Sequence, residues 1–78
     1  MLVVKLAERI VADPGILAGK PIIAGTRLSV EFVLAQLARG VPVDDFARDY
    51  EVERDDVLAA IRFAASSVGR DSYLMPTR

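Results

Sequence analysis

The sequence predicts a small, mostly α-helical domain of three helices with a short β element near its N-terminus. Three observations predict it. The chain has 78 residues, enough for one domain and little more. From residue 29 onward, apolar residues recur at helical spacing in three separate runs, each bounded by a start or stop signal. Before residue 29 the pattern is different, with short β-branched runs interrupted by Pro and Gly.

Met1 to Leu6 is an apolar run containing two valines, and Arg9-Ile10-Val11 is a second. They are expected to pair as small strands, within the chain or with a second copy. Asp13-Pro14-Gly15 is a turn signal, because Asp bonds its own backbone two residues on and Pro pre-sets φ.

The stretch Gly19-Lys20-Pro21-Ile22-Ile23-Ala24-Gly25-Thr26-Arg27 follows. Two glycines flanking an apolar run suggest backbone angles that other residues resist. Pro21 fixes its own φ and pushes Lys20 towards an extended conformation. Ile22 and Ile23 are expected to anchor this loop to the core, with Lys20, Thr26 and Arg27 facing outward. Leu28 to Val30 is read as a short extended exit.

Ser29 is a good N-cap for the first helix, whose stripe is Val30, Val33, Leu34, Leu37 and Ala38, with Gly40 as its stop. A second helix over residues 43–49 buries Val43, Phe46 and Ala47, and Tyr50 continues that face. The third, over residues 54–66, presents Val57, Leu58, Ile61, Ala64 and Ala65. Asp55 and Asp56 in its first turn suit the positive end of the helix dipole. The second and third helices with their turn have the length of a helix-turn-helix motif, so the expected class is helix-turn-helix-like, of the homeodomain-like kind. Residues 1–66 form the domain. Residues 67–78 read as a flexible or partner-ordered tail with Tyr73, Leu74 and Met75 as its apolar handle.

Composition narrows function. There is no histidine and no cysteine, which removes the commonest general base, the commonest soft nucleophile and an ordinary zinc site. The adjacent pairs Asp44/Asp45 and Asp55/Asp56 read as exposed charges at helix starts. No enzyme activity, cofactor or metal is expected. Hydrophobic residues make up 53% of a chain with no disulfide to staple it, which points to a homodimer or another partner burying the surplus. No run reaches the length of a membrane span, and Lys5, Glu8 and Arg9 interrupt any signal-peptide layout, so a cytoplasmic protein is expected.

The net charge of −1 conceals an uneven distribution. Residues 1–43 and 57–78 each carry a net +2. Residues 44–56 carry Asp44, Asp45, Asp49, Glu51, Glu53, Asp55 and Asp56 against Arg48 and Arg54, a net −5. The start of the third helix is where a helix-turn-helix protein reads the major groove, and carboxylates there repel phosphate. Any DNA contact is therefore expected on the basic side: Lys5, Arg9, Lys20, Gly25, Thr26 and Arg27, doubled in a dimer. The same loop is equally a structural element whose Arg27 pairs with an acidic neighbour, or a site for a small anion. It is not a nucleotide P-loop, whose spacing is absent. Phe32 and Phe63, off the main stripes, are candidates for a dimer interface or for packing beneath the N-terminal strands.

Gly19-Lys20-Pro21 followed by Gly25-Thr26-Arg27 and a helix resembles the bacterial "domain of unknown function 433" family. Further matching pieces are Ile10-Val11, Asp13-Pro14, Arg39-Gly40, Asp49-Tyr50 and Val57 to Ala65, so the resemblance covers residues 9–65. Val52-Glu53-Arg54 departs from the Pro–hydrophobic–Thr turn the family often has before its last helix. The resemblance implies a helix-turn-helix-like antitoxin of a type II toxin–antitoxin pair, with a PIN-like nuclease as the toxin, and possible operator binding. On that reading the acidic strip, especially Asp49, Glu51 and Glu53, covers a basic nuclease surface, and Tyr73, Leu74 and Met75 add an apolar anchor. A solvated acidic face and a frayed terminus are the alternative. A stand-alone dimeric DNA-binding regulator and a non-enzymatic interaction module are the other functional readings.

Overall fold

The computed structural model describes residues 2–69. Its architecture is mixed α/β: a three-stranded antiparallel sheet packed against three helices. The sheet is a larger part of the fold than the expected β element. Strand β1 is Val4–Ala7, β2 is Ile10–Ala12 and β3 is Pro21–Ile23, in the order β1-β2-β3. β3 lies inside the stretch expected to be a loop. Pro21 is tolerated as the first residue of a strand, and the two isoleucines favour extended backbone. In β3, Ile23 pairs with Ile10 and Ile22 with Val11, and both isoleucines are almost fully buried. The expected anchoring of the loop to the core therefore holds, through a strand. The expected extended exit survives as a single bridge between Ile22 and Ser29.

A two-residue turn joins β1 to β2, and residues 13–20, with a short 3-10 helix at Leu17–Gly19, join β2 to β3. Asp13 Oδ1 accepts from the Gly15 N–H at 2.9 Å, as the turn signal required. After β3, the Thr26 N–H donates to the Ile23 carbonyl at 3.1 Å, with Gly25 at φ +79° in the third position. That is the left-handed geometry a type II turn demands there, and the reason for a glycine.

Helix α1 (Val30–Ala38) starts as predicted, with Ser29 Oγ accepting from the Phe32 N–H at 2.9 Å. It ends at Gly40, φ +99°, whose N–H donates to Leu37 while the Val41 N–H donates to Gln36. This pair of bonds is the Schellman stop. Helix α2 (Val43–Tyr50) ends through the same pair of bonds, Glu51 to Arg48 and Val52 to Ala47. Here, however, the left-handed residue is Glu51, at φ 58° and ψ 43°. Helix α3 (Arg54–Gly69) runs three residues beyond its expected end, through Ser67 to Gly69. Tyr73, Leu74 and Met75 lie outside the described residues.

The core gathers Ile10, Ile23, Val30, Val33, Phe46, Ala47, Val57, Ala59 and Ala60. On α3 the buried face is rotated from the expected stripe. Ala59 and Ala60 are buried, Leu58 is half-buried and Ala65 is exposed. The helix lies against both the sheet and α1, and alanine permits that close approach where leucine does not. Phe32 is half-buried and packs among the helices. Its ring meets Phe46 at 6.1 Å and Tyr50 at 5.4 Å, and Phe46 stacks on Tyr50 at 4.4 Å. No described helix is long and apolar enough to cross a membrane.

Candidate functional site

Of the residues expected to bind phosphate, all but Arg27 are engaged by a carboxylate or by their own turn. Lys5 reaches Glu8 at 3.5 Å, and Lys20 donates to Glu31 at 3.1 Å. The Thr26 hydroxyl donates to the Ile23 carbonyl at 2.7 Å and accepts from the Leu28 N–H at 3.0 Å, so it is consumed within its own turn. Gly25 serves the turn, and no atom crowds the space a Cβ would fill there. Arg27 is exposed and makes no ion pair with any described residue, against the expectation of an acidic neighbour.

Arg9 departs furthest from its expected role. It sits in the two-residue turn between β1 and β2 with φ 67°, a left-handed angle uncommon for a side chain of its size. This turn lies beside the first turn of α3. There the guanidinium reaches Asp56 at 2.8 Å, Glu53 at 3.5 Å and Asp55 at 3.9 Å. The hydrogen bond to Asp56 raises the Arg9 pKa above the ordinary arginine value, with the nearby carboxylate charges acting in the same direction. Asp56 has two tasks: its other oxygen accepts from the Glu53 backbone N–H at 2.9 Å, capping α3. Arg9 is thus a clamp between sheet and helix. No local pattern in the sequence signals it, because its strongest partner is 47 positions away.

Carboxylates dominate the turn between α2 and α3. Arg54 Nε donates to Asp44 at 2.9 Å, and Arg48 lies 3.5 Å from both Asp45 and Asp49. Six of the seven carboxylates therefore share three arginines, and the strip remains acidic after all its internal pairs are formed. Glu51 has no ion pair among the described residues and is exposed on the strained residue that ends α2. Asp49 and Glu53 are exposed beside it, each in a pair no closer than 3.5 Å. Contacts of this length between solvated groups exchange readily for a better partner. No three described carboxylates are arranged to hold a metal ion.

Two grooves flank the half-buried Phe63. One, of about 630 Å³, runs between the β1–β2 turn and α3, lined by Leu6, Ala7, Arg9, Ala59, Arg62 and Phe63 among others. The other, of about 640 Å³, lies between α1 and the last turns of α3, lined mainly by Val30, Leu34, Ala35, Ala38, Ala64 and Val68. Phe63 is thus placed where a partner can reach its surroundings.

Among solved structures, the chain is similar to the crystal structure of Rv2018 from Mycobacterium tuberculosis, with 33% identity and a TM-score of 0.61. The similarity covers 67% of this chain and 24% of that one, so this chain spans about a quarter of the length of Rv2018. No curated protein matches the chain. The model of DUF433, a family described as proteins of unknown function, matches residues 10–64, from the first residue of β2 through most of α3. β1 and Arg9 precede the matched span. With most of its length inside that match, the chain belongs to the DUF433 family.

Proposed function

We propose that this chain is a non-enzymatic, homodimeric module of the antitoxin type, which binds and silences a PIN-like ribonuclease through the acidic face at the α2–α3 turn. The observation that carries the reading is the state of Asp49, Glu51 and Glu53: exposed, adjacent, and unpaired or only loosely paired. A carboxylate face of this kind complements a nuclease surface that is basic where it holds RNA. Glu51 adds a second support. A left-handed non-glycine residue costs about 1–2 kcal/mol, and strain of that kind concentrates at functional turns.

In this reading α2, the turn and α3 form the helix-turn-helix-like element, used for protein contact. The first turn of α3 is poorly suited to a DNA groove, because Asp55 and Asp56 stand there against Arg9 and Arg54 pairs with Asp44. A second reading, operator binding, is favoured by Arg27, an exposed cation with no carboxylate on it among the described residues. Lys5 and Lys20 join it on that reading, since surface pairs such as theirs yield to phosphate.

The test is co-expression with the product of the adjacent gene, followed by mass determination and a ribonuclease assay. A stoichiometric complex without nuclease activity supports the antitoxin reading. A complex that keeps full nuclease activity, or no complex, contradicts it. Salt-sensitive promoter binding that Lys20→Glu with Arg27→Glu abolishes would favour the regulator instead.

A further inference from the structure

The sheet is closed on one side and open on the other. At the β3 side, Ile22 bridges to Ser29 and the Ile23 N–H donates to the Leu28 carbonyl at 3.0 Å. At the β1 side, no described strand lies beyond. The side chains along that open edge are apolar: Leu2 is 79% exposed, Val3 55%, Val4 50% and Leu6 40%. Folded proteins blunt such edges with charge, proline or a bulge, since unpaired N–H and C=O groups recruit another strand. Here the one charge is Lys5, already balanced by Glu8. The bulge falls within the strand, at Leu6 between Lys5 and Ala7, and leaves Val4 and Lys5 in regular register.

We propose that β1 pairs antiparallel with β1 of a second copy, about a two-fold axis through Val4, joining two three-stranded sheets into one of six strands. The sequence of the edge is what selects a second copy. Directly opposed side chains share a face, so each two-fold register is centred on a single residue. Centring on Val4 opposes Val4 to Val4 and Val3 to Lys5, and sets Leu2 against the bulge at Leu6, with no like charges facing. Centring on Lys5 sets two lysines against each other, which destabilises. Centring on Val3 leaves Leu6 with no opposite. The Val4 register also brings Leu2 of one copy beside Leu6 of the other, at the groove that Ala59 and Phe63 line. This interface rests on the homodimeric part of the reading above and is independent of the acidic face.

The chain has no cysteine, so a single introduced thiol reports on the interface without background. Val4→Cys places two Cβ atoms roughly 5 Å apart across the axis, close enough for a disulfide after small adjustment. Leu6→Cys places its two thiols roughly 13 Å apart along the strands, too far to bridge. Expected are a sedimentation mass of twice 8.5 kDa for the wild type, efficient oxidation of Val4→Cys to a covalent dimer, and none for Leu6→Cys. Val3→Lys with Val4→Lys, both exposed and outside the core, should give a monomer that melts cooperatively. A monomeric wild type overturns both the interface and the dimeric reading. A dimer that survives the two lysines, or in which Leu6→Cys cross-links and Val4→Cys does not, overturns the interface alone.

Discussion

Glu51 and Ser29 show opposite relations between a side chain and its backbone. Ser29 has the residue type its position asks for: its hydroxyl caps α1, so Ser29→Ala should cost about 1 kcal/mol, read as a lower denaturant midpoint at unchanged slope. Glu51 has the wrong type for a left-handed helix stop that elsewhere in this chain uses Gly40. Glu51→Gly should stabilise the fold by about 0.5–1 kcal/mol, what remains of the relieved strain after the added entropy of glycine in the unfolded chain. The same change should weaken partner binding if the carboxylate is used there, so stability and affinity move in opposite directions. Arg9 is a third case, also left-handed, but held by three carboxylates. Its pKa is raised on folding, so its contribution is complete below the unfolded-state value and is lost only above it, in strongly alkaline solution. Arg9→Ala should lower the melting temperature at any neutral pH, and Arg9→Lys should restore little, because one ammonium cannot replace a fork spread over Glu53, Asp55 and Asp56.

The helices were legible as elements because each carries its own punctuation. Ser29 and Gly40 bracket α1, and the acidic first turns mark α2 and α3 to within a residue at their starts. Their contents were less legible. Phe46 was placed in the core, and Phe46→Ala should cost about 3–5 kcal/mol, since its ring is fully buried and also supports Phe32 and Tyr50. The role of Phe32 depends on where α2 packs, which no local period encodes. β3 was hidden for a similar reason. Pro21-Ile22-Ile23 is three residues long, too short for a period, and becomes a strand because Ile10-Val11-Ala12 offers it a ladder. Likewise, the spacing on α3 fits a stripe through Leu58 as well as one through Ala60, and the close approach of the sheet selects the second.

Two surface features stand out across the described residues. The β1 edge is apolar and faces away from any described strand, while the carboxylates gather at the α2–α3 turn. The candidate site was legible in part. The acidic strip is visible from composition along the chain, but the withdrawal of Arg9, Lys20 and Thr26 from the basic side depends on contacts formed only in the fold. A two-fold assembly through β1 presents the acidic turn twice, which suits a partner that is itself symmetric. The most direct test of the central claim is the affinity of the purified protein for the product of the adjacent gene, compared with a Glu51→Lys, Glu53→Lys variant at low and high salt. The account predicts tight binding that weakens with salt, and a loss of at least about tenfold in the variant, as reversal of interfacial charge requires. Equal affinity of the two proteins at both salt concentrations would contradict it.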